Sequence, residues 1–201
     1  MGKVIICFIF FAVSSLGYSQ SDFDLLKSGI DKSNSGDSKG AIIDFTKAIE
    51  INPNNGDAYY NRGRAKAESG DRVGAIIDYT KAIEIYPNDG DAYYNRGVSK
   101  AKLEYDAESI VDFTKAIEID PLFADSYYYR ATMKFKLLDY RGGNADLTKV
   151  IEINPKSAQA YYHRGFYSIA LNLKEQGCLD LSKAGELGYK RAYKMIKGLC
   201  N

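Results

Sequence analysis

The 201 residues are 45% apolar and 26% charged, the balance of a folded globular chain and not of a disordered or collagen-like one. Lys and Arg number 27 against 26 Asp and Glu, so the chain lacks the basic surplus that neutralises a phosphate backbone, which argues against nucleic acid as a partner. At the amino end Lys3 precedes an apolar run from Val4 to Val13, and a shorter polar stretch ends with Gly17 and Ser19. This three-part pattern predicts a signal peptide over 1–19, cleaved before Gln20, and therefore an exported protein, secreted or periplasmic. The apolar run is too short to cross a hydrocarbon core, which takes about 20 residues. Cys7 lies inside that run, so no cysteine stands just after the cut to carry a lipid.

Beyond the leader, the chain is organised by a period. Its only prolines, Pro53, Pro87, Pro121 and Pro155, are each 34 residues from the next. Each follows an apolar-acidic segment, AIEIN at 48–52 and its counterparts at 82–86, 116–120 and 150–154, and so marks the end of a helix it cannot continue. The period divides 20–191 into units 22–55, 56–89, 90–123, 124–157 and 158–191, followed by a tail, 192–201. Asp57, Asp91 and Asp125 fall at the start of new helices, where a negative charge is favourable.

In the unit 56–89, residues 58–69 read as one helix, Gly70-Asp71 as a turn, and 72–85 as a second helix. Ala75, Ile76, Tyr79, Ala82 and Ile83 recur at spacings of three and four and give the second helix an inward stripe. One such hairpin cannot bury its apolar face alone, so stability has to come from stacked neighbours.

Tyr59, Gly63, Ala75, Tyr79, Ala82 and Pro87, with Tyr93, Gly97, Phe113, Ala116 and Pro121 one period later, resemble the signature of the tetratricopeptide repeat family over about residues 22–191. The resemblance implies an all-α, right-handed α-solenoid of five helix-turn-helix repeats plus a C-terminal capping helix. Departures exchange small residues: Ser109 and Gly143 for the second-helix Ala, Ala131 for the first-helix Gly, Val150 for the later Ala. Leu25 replaces Tyr in the first unit and Tyr189 replaces Pro in the last, as suits terminal repeats.

Charges also follow the period. Asp44, Asp78, Asp112, Asp146 and Asp180 lie on second helices, and Arg62, Arg96, Arg130 and Arg164 on first helices, with Ser28 in the first unit's Arg place. Five aspartates against four arginines favour ion pairs from one unit to the next, Asp44 with Arg62 and so on along the array. These are read as structural clips and not as a catalytic or anion-binding row.

Many of the 17 tyrosines occur in doublets, the first member taking the family's packed aromatic place. The second members, Tyr60, Tyr94, Tyr128 and Tyr162, point about 100° away and are expected on the concave face, with Arg64, Val98, Thr132 and Phe166 one turn later. Such an aromatic ladder suits partner binding, and its alternative is simple packing between hairpins. Asn61 and Asn95 match an asparagine that relatives use to grip a peptide carboxylate, yet the basic places beside it hold Phe23, Leu26, Asp57, Tyr60 and Asp91, so that clamp is not expected.

His163, the sole histidine, replaces Asn61, Asn95 and Tyr129 of earlier units and reads as a surface position. Without a second histidine, a Cys-x-x-Cys pair or a phosphate-cradling glycine loop, no enzyme activity, metal or cofactor is expected. In the tail, Tyr189, Ala192, Tyr193, Ile196 and Leu199 form the inward face of a capping helix, and Lys190, Arg191, Lys194 and Lys197 its solvated back. A turn at Gly188 brings Cys178 and Cys200 to one end, where an exported chain can oxidise them to a disulfide. The expected function is protein or peptide binding on the concave face, with a structural spacer or a glycan-binding module as alternatives; the oligomeric state is open.

Overall fold

Six of the helices begin where a side chain takes over an unpaired backbone amide. Asp37, Asp71 and Asp139 accept from the amides of Gly40, Gly74 and Gly142 and open second helices of hairpins. Asn55, Asp89 and Ser157 do the same for Ala58, Ala92 and Ala160 at first helices. These caps stand two residues before the Asp57 and Asp91 singled out from sequence, which lie inside the first turn.

The computed structural model describes residues 21–200, so the expected signal peptide at 1–19 and Cys7 lie outside the described residues. Eleven helices follow: α1 (21–34), α2 (Ser38–Ile51), α3 (Gly56–Glu68), α4 (Arg72–Ile85), α5 (Gly90–Lys102) and α6 (Asp106–Ile119), then α7 (Ala124–Lys136), α8 (Tyr140–Ile153), α9 (Ala158–Ala170), α10 (Lys174–Glu186) and α11 (Arg191–Leu199). No strand occurs among the described residues, and consecutive helices pair as hairpins, the construction of an all-α solenoid. The chain divides into two compact units, Met1–Ser99 and Lys100–Asn201.

In the first unit, Phe45 and Ala41 of α2 pack with Ala65 of α3, and Leu26 and Ile30 of α1 close over them. Leu25, in the tyrosine place, joins Ala48, Ile49 and Ala58. Of the stripe expected on α4, Ala75, Tyr79, Ala82 and Ile83 are buried, while Ile76 is only half-buried. In the second unit, Ala131, Leu147, Val150, Ala160 and Tyr167 form the buried centre, with Phe135 and Phe166 against it.

Small residues set how closely a hairpin's two helices approach. A Cβ on Gly165 would lie 2.7 Å from the carbonyl oxygen of Gly177, and one on Gly177 the same distance from that of Gly165. In the preceding hairpin, the exchange of Ala131 for Gly is met by Gly143, whose added Cβ would come within 3.1 Å of the Ala131 carbonyl oxygen. Gly36, Gly70 and Gly188 turn the chain with positive φ, whereas Glu104, Leu138 and Asn172 adopt that conformation with a side chain.

The last helix is fixed covalently. Cys178 and Cys200 form a disulfide with a Cα–Cα distance of 5.8 Å, tying the end of α11 to α10. Ala192 is fully buried, and Tyr193 lies over Gly185 of α10. The inward face expected for the tail is only partly realised: Tyr193 and Leu199 keep substantial exposure, because α11 covers α10 with one edge.

Candidate functional site

The periodic charges resolve into a recurring grip inside the hairpins α3/α4, α7/α8 and α9/α10. Arg62 donates from Nε and Nη2 to both oxygens of Asp78 at 2.9 and 2.7 Å. Arg130 holds Asp146 in the same two-pronged way, and Arg164 holds Asp180. The expected pairing of Asp44 with Arg62 across units is therefore incorrect, as are its counterparts Asp112 with Arg130 and Asp146 with Arg164. The reason is the hairpin itself: the paired residues stand 16 apart, equally far on either side of the turn, so folding sets them opposite each other.

What reaches the preceding hairpin is the remaining prong of the guanidinium. Nη1 of Arg62, Arg96, Arg130 and Arg164 donates to Thr46, Thr80, Thr114 and Thr148 at 3.1, 3.1, 3.0 and 3.2 Å. Each arginine also lies over the first tyrosine of its doublet, Tyr59, Tyr93, Tyr127 or Tyr161, at 5.4 to 5.6 Å from the ring centre. Planar geometry lets one arginine serve carboxylate, hydroxyl and ring together, which lysine cannot do.

The unit without an arginine explains the mismatch in numbers. Asp44 accepts from Ser28 and from Lys32, both at 2.6 Å, and these bonds hold its carboxyl below the usual carboxylate range. Lys32 is the first of a row: Lys66 reaches Asp78, Lys100 reaches Asp112 and Lys134 reaches Asp146 at 2.8 to 2.9 Å. Sequence reading missed these lysines although 32, 66, 100 and 134 carry the same 34-residue period. The row stops at Ser168, so Asp180 has the arginine without the lysine. All five aspartates are buried.

Beside these internally engaged charges stand the second tyrosines of the first helices. Tyr60, Tyr94, Tyr128 and Tyr162 are half-buried. The Tyr60 hydroxyl accepts from Nδ2 of Asn95 at 3.1 Å, and its ring tilts against Tyr79. Burial pushes the Tyr60 phenol up and that of Tyr128 to about 12. Tyr162 packs at 4.7 Å from Tyr189, the residue in the last unit's proline place. Asn61 and Asn95 donate back to the carbonyls of Asp57 and Asp91, which engages the amide groups considered for a ligand. Arg64 is exposed and only 3.9 Å from Glu68.

His163 is not on the open surface. It sits edge-on to the rings of Tyr128 and Tyr162, at 5.6 and 5.3 Å, and burial lowers its pKa, so the ring is neutral near pH 7. The adjacent Tyr162 and its counterpart one period earlier, Tyr128, were the available signal for this. Among the described residues, no three or more His, Cys, Asp or Glu converge as metal ligands, and no helix is long and apolar enough to cross a membrane.

Beside Tyr162 the structure opens into a cavity of about 630 Å³ between α9 and α11, floored by Tyr162, Phe166, Met195 and Leu199 and edged by Arg191 and Lys194. Its volume falls within the range of small-ligand and side-chain pockets, about 300–1,000 Å³.

Tetratricopeptide-repeat models match residues 45–74 and, by a second model, 32–55 and 90–121. No curated protein sequence matches the chain. Among solved structures, a crystal structure of MamA protein superimposes with a TM-score of 0.80 at 23% identity, covering 87% of this chain and 96% of that one. MamA 41-end from Desulfovibrio magneticus RS-1 gives 0.79 at 18% identity, covering 85% and 96%. YrrB, described as a tetratricopeptide-repeat protein with an unusual peptide-binding site, gives 0.80 at 18% identity, covering 93% and 97%. At such identities the likeness speaks for the fold. The chain carries tetratricopeptide repeats and has the fold of solved tetratricopeptide-repeat proteins.

Proposed function

We propose that the chain is a protein-binding scaffold of an exported assembly, holding a protein or peptide on the tyrosine-rich surface of its first helices. The observation that carries this is a division of labour among repeated residues. The arginines, lysines and aspartates that recur are bonded within and between hairpins, while the second tyrosines keep part of each ring open. Half-exposed tyrosine on a rigid helix offers broad contact at little entropic cost. The Cys178–Cys200 disulfide agrees with an oxidising compartment, which supports the export read from residues 1–19.

A spacer without a groove ligand draws support from the bond between Tyr60 and Asn95, which gives that tyrosine a packing role. Crosslinking of the tagged protein in its native extract separates the two readings. A scaffold yields one recurrent partner, lost in a Tyr94→Ala, Arg64→Glu variant that melts like the parent; a spacer yields partners indifferent to that variant. Mass determination of the exported protein tests the leader, with an amino terminus at Gln20 expected.

A further inference from the structure

We propose that the cavity between α9 and α11 is a specific seat for an acidic peptide segment that inserts an aromatic or long aliphatic side chain. The proposal rests on the scaffold reading and names where, and with what chemistry, the partner docks.

Its floor is apolar from both sides, Tyr162 and Phe166 of α9 facing Met195 and Leu199 of α11. Its edge is cationic. Arg191 and Lys194 are exposed and have no ion-pair partner among the described residues, in contrast to Arg62, Arg130 and Arg164. No carboxylate lies on either wall: α9 reads AQAYYHRGFYSIA and α11 RAYKMIKGL. The one arginine on α9, Arg164, is bonded to Asp180. The first helices α3, α5 and α7 open with Asp57, Asp91 and Asp125, whereas α9 has Gln159 at that place.

A ligand that fills this cavity therefore meets apolar contact below and positive charge at the rim, which selects a carboxylate beside a large side chain. Arginine can take such a carboxylate with two parallel bonds. The site is also held in shape before binding. Burial of Ala192 and the Cys178–Cys200 bond fix α11 as a wall, so little ordering is required of the protein when the peptide enters.

Gly198 offers a direct test. It lies on the cavity wall, and a Cβ there meets nothing within 4 Å, so Gly198→Leu fills the cavity without straining the helix. The experiment is fluorescence anisotropy with the oxidised full-length mature protein and short labelled peptides containing Phe flanked by Asp and Glu. Counterparts carry Lys in place of the acids, or Ala in place of Phe. The acidic Phe peptide is expected to bind, and its affinity to fall by about tenfold or more in Gly198→Leu and in Arg191→Glu, Lys194→Glu. Either counterpart peptide should bind as weakly as the variants do.

Equal binding of acidic and basic peptides, or affinity unchanged by Gly198→Leu, would overturn the proposal. So would self-association, or binding of anionic vesicles, that disappears in Gly198→Leu while the acidic peptide fails to bind. If crosslinks from the native extract map to α3 or α5 and persist in Gly198→Leu, the cavity is not the seat, and the scaffold reading stands without it.

Discussion

The hairpin α3/α4 and the hairpin α9/α10 obey one repeat pattern and keep their buried carboxylate in different ways. Asp78, 1% exposed, has two cations, Arg62 and Lys66. Asp180 has Arg164 alone, with Ser168 in the lysine place. The second hairpin instead brings its helices together through Gly165 and Gly177 and is bound to α11 by a disulfide. A repeat can therefore exchange an ionic device for backbone proximity and a covalent tie while leaving its register intact. Arg191 and Lys194 of α11, at the edge of the cavity, have no ion-pair partner among the described residues.

Single replacements should expose that difference. Arg164→Ala strands Asp180 with no cation and is expected to cost about 3–5 kcal/mol in urea unfolding, whereas Arg62→Ala is cushioned by Lys66 and should cost less. Equal losses would mean that the lysine row contributes nothing. Replacing Cys178 and Cys200 by Ser comes next, at about 3 kcal/mol for a loop of this length, read as a lower melting temperature under oxidising conditions. Under reducing conditions the parent should fall to the level of the variant.

Gly165→Ala is expected to lose about 1–3 kcal/mol, because its Cβ meets a backbone carbonyl that has no rotamer to relieve the overlap. At Gly63 the added Cβ meets the Tyr79 ring, a side chain that can shift, so Gly63→Ala should be milder. The smallest effect belongs to His163. Its folded pKa is depressed below 6.5, so the unfolded chain takes the proton first. Stability from this group is complete above 6.5 and declines as pH falls from there toward the folded pKa. His163→Asn should flatten that stretch of the melting-temperature profile, and a slope unchanged by the substitution would place the titration elsewhere.

The helical hairpins were legible in the sequence because proline, glycine and apolar positions all repeat with one period and agree with helical spacing. The disulfide was legible because a single glycine turn sets Cys178 and Cys200 at one end. The ion pairing was not. Counting aspartates against arginines ignored that lysine and serine can complete the set, as Lys32 and Ser28 do for Asp44. Distance across a turn, 16 residues for Arg62 and Asp78, was the better guide. His163 was misplaced for a related reason: its neighbours come from the preceding hairpin's Tyr128 and its own Tyr162, and a comparison with the Asn61, Asn95 and Tyr129 it replaces does not include them. The cavity beside α11 depends on where a nine-residue terminal helix stops covering its neighbour, a matter of tertiary placement that periodicity does not encode.

The assignment of the repeated charges to the hairpins, on which the proposed partner surface rests, is tested most directly by two double-mutant cycles. Urea unfolding of Arg62→Ala, Asp78→Ala and their combination gives one coupling energy, and Arg62→Ala with Asp44→Ala gives the other. Pairing within the hairpin predicts a coupling above about 1 kcal/mol with Asp78 and below about 0.5 kcal/mol with Asp44. A larger coupling with Asp44 would contradict it and restore pairing from one repeat to the next.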